Sequence, residues 1–229
     1  MSSNETFWLT ILSELQLLFI LVGMVIFMTI PKPGRKEFAE LGWLLLVALV
    51  TEIVLDIGIH LLHTMMNVVV NLYLLINVPL IALMYRRKIQ WRRIDLAIYT
   101  VIIGFLVFGF INITLIQGLH KYNSYTSLLG AVCIIVISLG YFYVLIQQLP
   151  TQSITKLPMF WINSAMLIYR SSLFFIYLSA DYLINVLNSD MIASWLVHNL
   201  FGLVFYALLW YALLLVRSEY RNKASAFAR

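Results

Sequence analysis

This sequence has few charged residues and only one cysteine. Charged residues make up 11% of the 229 positions, whereas soluble domains have about 25%. So few charges cannot cover a soluble surface, and a hydrophobic share of 62% with a mean hydropathy of +0.94 indicates a membrane protein. The single Cys133 can form no disulfide within the chain. The composition therefore excludes a soluble globular domain.

The sequence also lacks any complete catalytic, nucleotide-binding or cofactor motif. Its long apolar runs contain no lysine, which a retinal Schiff base requires, so retinal is excluded. The sequence indicates neither a surface of basic and aromatic residues nor a recognised fold that binds nucleic acid. We therefore expect no cofactor and no nucleic-acid partner, and an enzyme is the less favoured class.

What the chain does contain is apolar runs. A membrane core about 30 Å thick needs roughly 20 apolar residues in a helix. Seven runs qualify, which predicts an all-α integral membrane protein with a single seven-transmembrane-helix bundle over residues 1–229. The predicted helices are 7–30, 41–63, 68–85, 94–117, 127–147, 160–184 and 191–216. Pro31 to Gly34 is predicted to be a turn that stops the first helix, and Pro79 is predicted to kink the third.

The positive charges lie almost entirely on one side of the predicted helices. Because lysine and arginine concentrate in cytoplasmic loops, we predict an N-terminus outside and a cytoplasmic C-terminus, with the basic loops in contact with anionic lipid. The opposite loops hold only Lys121. The basic loop Arg86–Arg93 could instead dock a cytoplasmic partner. The cations on the predicted cytoplasmic side are Lys32, Arg35, Lys36, Arg86, Arg87, Lys88, Arg92, Arg93, Lys156, Arg217, Arg221, Lys223 and Arg229.

Helix two carries Glu52, Asp56, His60 and His63 within an arc of about 80° on one face. Charged groups at membrane depth are costly unless they pair, meet water or face the bundle interior. Arg170 in helix six lies at a similar depth, so we predict a Glu52–Arg170 ion pair, for which Asp56 or Glu14 could substitute. Its role is either a structural lock or recognition of an anionic group.

Other polar residues lie toward the predicted outer half of the helices. Turned inward, they would line an outward-facing polar pocket; singly, each is explained by hydrogen bonds between helices. The predicted pocket residues are Glu14, Asp56, His60, Asn71, Asn112, His198 and Asn199. We expect Asp56, His60 and His198 to converge, with Glu14 nearby.

The histidines also permit a weaker metal hypothesis. His60 and His63, together with His198 and Asp56, supply the imidazole and carboxylate ligands that zinc or another divalent metal accepts. Neither an HExxH nor an HxxxH motif occurs. A metal site would make the chain an intramembrane hydrolase with Asp56 or Glu52 as base.

Several segments resemble an uncharacterised family of small bacterial seven-helix membrane proteins. The resemblance implies the same bundle, N-terminus out and C-terminus in, and brings no established activity or site residue with it. Relatives in that family occur alone or ahead of signalling domains. The segments that carry it are Asn71–Asn77, Leu83–Arg86, Phe110–Asn112 through Gln117, Pro158–Asn163 with Ile168-Tyr169, and Trp195–Asn199. Receptors share only the outline, since NPxxY and DRY motifs are absent.

The leading hypothesis is a multi-pass protein of the bacterial inner membrane that senses or binds a small molecule or lipid in the outward-facing polar pocket. It would act through a membrane or cytoplasmic signalling partner. The rivals are the metal-dependent intramembrane hydrolase, a transporter or proton relay through Glu52, Asp56 and Arg170, and a structural subunit of a membrane complex.

Overall fold

The protein is almost entirely helical. A computed structural model describes residues 3–61, 66–89, 92–148, 153–185 and 192–227, and these contain no β-strand. The helices are α1 (Ser3–Met28), α2 (Lys32–Glu37), α3 (Ala39–Leu61), α4 (Met66–Lys88), α5 (Arg92–Ile111), α6 (Ser124–Gln148), α7 (Pro158–Asn185) and α8 (Ile192–Phe227). One π turn, Asn112–Ile116, continues α5, and a 3-10 turn, Ile154–Lys156, precedes α7.

All the long helices have the length and composition of membrane spans. In the part of the chain that the structure describes, seven helices are long and apolar enough to cross a membrane. The chain is therefore a multi-pass membrane protein, and the prediction of a seven-helix, all-α bundle is confirmed.

Two segments differ from the sequence prediction. The segment at Pro31–Gly34 was predicted to be a turn, but it begins the short helix α2. Proline is compatible with the first turn of a helix, and both Pro31 and Pro33 stand at the start of α2. α8 continues to Phe227, beyond the apolar run that ends at Val216. Hydropathy falls after Val216, but the arginine, glutamate, lysine and alanine that follow favour helix, so the helix outlasts its apolar part.

The helices form a ring with one helix outside it. α1, α3, α4, α6, α7 and α8 each contact the next, and α8 closes the ring against α1. α5 packs outside the ring on α4 and α6. α4 continues through Pro79, whose ring removes one backbone donor from the helix. The ring thus brings α3, α4, α7 and α8 around a common interior.

The α1–α3 contact depends on Gly42. A Cβ added there would lie 2.5 Å from the ring of Phe27, which is buried and cannot move away freely. We expect Gly42→Ala to lower the free energy of unfolding by about 1–3 kcal/mol through overpacking. SDS titration of the protein in mixed micelles measures this loss.

Gly104→Ala is the matched control, because a Cβ at Gly104 meets nothing within 4 Å. Replacing this exposed helical glycine should be neutral or stabilising by about 0.5–1 kcal/mol. Equal losses in the two variants would show that the Phe27 contact does not limit the packing of α1 on α3.

Charged side chains and the Tyr220 hydroxyl join α2, α3, α4, α5 and α8 at one end of the bundle. We call this the basic end and define it by Lys32–Glu37, Glu40, 86–88, Asp95 and 217–223. Lys88 donates to Glu37 at 2.7 Å, and the Tyr220 hydroxyl donates to the same carboxylate. The second row of contacts joins Arg87 to Glu40 at 2.7 Å and Arg86 to Asp95 at 3.3 Å.

Glu37 should make the bundle sensitive to acid. Partial burial alone would raise the pKa of Glu37, but hydrogen bonds from Lys88 and Tyr220 and the charges of Lys88 and Lys223 outweigh it, so the pKa lies below the ordinary 4.5. The stabilisation is therefore complete above pH 4.5 and is lost as the pH falls through the lower, folded-state value.

We expect the melting temperature of the wild type to exceed that of Glu37→Gln at neutral pH, with the difference shrinking below pH 4.5. Glu219→Gln is the control, because Glu219 is exposed and its ion pair, to Lys223 at 2.6 Å, lies within its own helix. A Glu37→Gln difference that stays constant with pH would contradict the prediction.

Candidate functional site

Arg170 lies inside the bundle at mid-membrane depth. It is about 18 Å along α7 from Pro158, and only 4% of its surface is exposed. Its Nη2 donates to Oδ1 of Asn77 on α4, and Nδ2 of Asn77 donates to the Tyr73 hydroxyl at 3.0 Å. The Nε of Arg170 is buried and has no hydrogen-bond partner among the described residues. A cation with an unused donor is therefore held in the bundle interior.

Three tyrosines that line the cavity beside this cation interact with it and with Glu52. Tyr73, Tyr169 and Tyr206 all interact electrostatically with Arg170, and each also interacts with Glu52. Because the Tyr73 hydroxyl accepts from Asn77, its own proton is free to donate elsewhere. The guanidinium carbon of Arg170 lies 5.7 Å from the centroid of the Tyr169 ring. We call Tyr73, Asn77, Tyr169, Arg170 and Tyr206 the Arg170 cluster.

Glu52 flanks the same cluster but binds an amide. Gln16 on α1 donates from Nε2 to Oε1 of Glu52 at 3.0 Å. A Cβ at Gly202 on α8 would collide with the Gln16 amide, so the absence of a side chain at Gly202 leaves room for this amide. No ion pair within 4 Å joins Glu52 to Arg170 in the described ranges. Each of the two charged groups instead forms a hydrogen bond with a side-chain amide from another helix. The three tyrosines interact with both charges. Glu52 therefore flanks the cluster that contains Arg170, and it does not contact Arg170 directly.

A narrow cavity opens beside Arg170. It has room for little more than a water molecule, so a larger occupant enters only if side chains or helices move apart. Its lining comes from α3, α4, α7 and α8: Leu41, Leu44, Leu45, Ala48, Tyr73, Asn77, Ile81, Met166, Tyr169, Arg170, Phe205, Tyr206 and Leu209. Of the residues predicted to form the outward-facing pocket, none whose side chain the structure describes lines this cavity.

Two of those predicted pocket residues support the connection between α5 and α6. Asn71 donates to the carbonyl oxygens of Leu119 and Lys121, at 2.9 and 3.1 Å. Asn112 is fully buried and its amide donates to the Thr126 hydroxyl at 2.8 Å. Both side-chain amides therefore form hydrogen bonds that connect neighbouring segments. Such bonds were the alternative explanation given above for these polar residues.

The other predicted pocket residues are spread over the bundle. Glu14 and Asp56 are exposed, while Asn199 is half-buried. His198 is half-buried beside Tyr169, with 3.5 Å between its Nε2 and the hydroxyl, and beside Trp195, with ring centroids 5.4 Å apart. The side chain of His60 lies outside the described residues, so the convergence of Asp56, His60 and His198 stays a prediction.

The metal hypothesis also stays a prediction. His63 and the side chain of His60 lie outside the described part of the chain. Within that part, no three histidine, cysteine, aspartate or glutamate side chains stand close enough together to hold a metal ion.

Sequence reasoning missed four members of the Arg170 cluster as site residues: Tyr73, Asn77, Tyr169 and Tyr206. Depth in the membrane was the signal that could have identified Asn77. This residue lies about 17 Å along α4 from Lys88, which is the level of Arg170 in α7. Tyr73 stands four residues before Asn77, so both share one helix face. A search for neutral polar partners at the depth of the buried arginine would have found both.

Comparison with protein-family models, curated protein sequences and solved structures finds no match to this chain.

Proposed function

We propose that this multi-pass membrane protein is a binding module that senses a small molecule or lipid through an acidic group held at Arg170. One observation carries the proposal: the buried guanidinium has a free Nε donor and faces a cavity. Arginine donors bind carboxylates and phosphates strongly, and most strongly where water is excluded. The proposed site is at the Arg170 cluster instead of the outward-facing pocket predicted above. Ligand binding would move the helices and so signal to a membrane or cytoplasmic partner.

Thermal melting of the purified protein in nanodiscs tests this role. The probes are a panel of small carboxylates and phosphates with matched neutral and cationic analogues. A ligand that binds only the folded state raises the melting temperature. We expect anions to raise it in the wild type and not in Arg170→Gln.

Arg221→Gln is the control, since Arg221 is an exposed arginine at the basic end. It should respond to anions like the wild type. If no anion acts, or if Arg170→Gln responds equally, the proposed binding role is wrong.

A proton relay is the second candidate. It is favoured by the electrostatic interaction of both Glu52 and Arg170 with the same three tyrosines. Tyrosine hydroxyls both donate and accept, as a relay requires. Proton flux in sealed vesicles, lost in Glu52→Gln, would favour transport over sensing.

We also propose that the basic end faces the cytoplasm of a bacterial inner membrane. The excess of lysine and arginine on one side supports this orientation. A reporter fused to the C-terminus should be active only in the cytoplasm. Activity only on the outer side would reverse the orientation.

A further inference from the structure

The Arg170 cavity changes polarity along the membrane normal. On α4, Ile81 lies one turn closer to the basic end than Asn77, and on α7, Met166 lies one turn closer than Arg170. On α8, Leu209 lies closer to the basic end than Tyr206. On each of these helices the polar side chain stands at mid-membrane and the aliphatic one stands nearer the basic end.

α3 contributes only aliphatic residues to the cavity. They begin two residues after the start of α3 and extend over about 10 Å of the helix. The residues are Leu41, Leu44, Leu45 and Ala48. The lining residues of all four helices therefore show the same arrangement. The cavity has a polar end at Arg170, and its walls are apolar from there toward the basic end.

We infer that the ligand held at Arg170 is an amphiphile with one acidic head group and a short apolar tail directed toward the basic end. The inference rests on the binding role proposed above and names its ligand class. The head group would take the free Nε donor of Arg170 and the proton of the Tyr73 hydroxyl.

The walls specify what the tail must lack. A second charge or polar group on the tail would be buried against Leu44, Ile81 and Leu209 without a partner, which is costly. Dicarboxylates and zwitterions are therefore rejected, and neutral alcohols lose the attraction of the cation. The narrowness of the cavity favours a short, unbranched tail.

Photolabelling with an octanoate analogue that carries a diazirine on its terminal carbon tests the ligand class. The protein is labelled in nanodiscs, and mass spectrometry locates the adducts. We expect adducts on α3 within Leu41–Ala48 or near Leu209, and about tenfold or greater loss of labelling in Arg170→Gln. Arg170→Lys keeps the charge and should retain part of the labelling.

Competition separates the chemical classes. Unlabelled octanoate should displace the probe, whereas octanedioate and octanol at equal concentration should not. Oleate is compared with octanoate, and oleate should displace the probe less well because its tail is long. Stronger displacement by oleate would overturn the short tail and identify a membrane fatty acid as the ligand.

The outcomes distinguish the two proposals. Arg170-dependent adducts near Trp195 and His198, or displacement by octanedioate, would overturn the amphiphile and its direction while leaving anion binding intact. Labelling that persists unchanged in Arg170→Gln would overturn the binding role itself, provided that the variant melts at a temperature close to the wild type.

Discussion

Asn77→Leu should destabilise the bundle by about 3 kcal/mol, because it removes the described acceptor of a buried cation. Adding Arg170→Leu should restore most of the loss, since the double variant buries neither the cation nor the amide. Rescue by a second substitution is the result that distinguishes a charge contact from ordinary packing. SDS titration in mixed micelles measures all four members of the cycle.

Asn222→Leu is the control for Asn77→Leu, because Asn222 is exposed near the end of α8. It should change stability by less than about 0.5 kcal/mol. A double variant that loses the sum of the two single losses would contradict the Asn77–Arg170 contact. The same cycle with Arg170→Leu and Glu52→Gln tests the predicted ion pair, and additive losses there would show that these two charges do not interact.

Asn163→Leu should cost about 2–3 kcal/mol, because Asn163 joins three helices through fully buried contacts. Its Oδ1 accepts from the Tyr85 hydroxyl, and its Nδ2 donates to the Ser138 carbonyl oxygen at 3.1 Å. The Tyr85 hydroxyl also lies 3.0 Å from the Ser138 hydroxyl. Leucine would leave buried groups on α4 and α6 without their partner. The measurement is again the free energy of unfolding in mixed micelles.

Ser164→Ala is a useful comparison on the same helix. Ser164 bonds only to the carbonyl of Phe160 one turn before it, at 2.8 Å. Its removal should cost little, because that carbonyl already belongs to the α7 backbone ladder. Similar losses in Ser164→Ala and Asn163→Leu would show that the contacts between α4, α6 and α7 contribute no more than a local one.

The sequence predicted the class of fold because lipid imposes a simple rule. Each crossing needs a long apolar helix, and all seven are visible in the hydropathy. The helical extension after Val216 was not visible in this way, since its residues are charged and only their helix propensity points to it. Likewise, the helix at Lys32–Glu37 was not visible in the sequence, because Pro31 and Pro33 favour a turn except where they stand at the start of a helix.

The site was predicted only in outline. Arg170 and Glu52 stood out as charges at membrane depth, and the structure places both beside the same tyrosines. Their hydrogen-bond partners, Asn77 and Gln16, could not be chosen from the sequence, because helix order in the ring decides which amide faces which charge. Amides such as Asn71 look identical in sequence yet hold a loop.

Pro79 divides α4 into a segment of 13 residues before it and a segment of nine residues after it. The first segment carries Asn77 against Arg170, and the second extends about 13 Å from the proline to Lys88. A bend of about 10° at the proline would carry Lys88 sideways by about 2 Å, on the scale of the 2.7 Å bond from Lys88 to Glu37. A bend at Pro79 would therefore move Lys88 relative to Glu37, whose carboxylate also holds α8 through Tyr220.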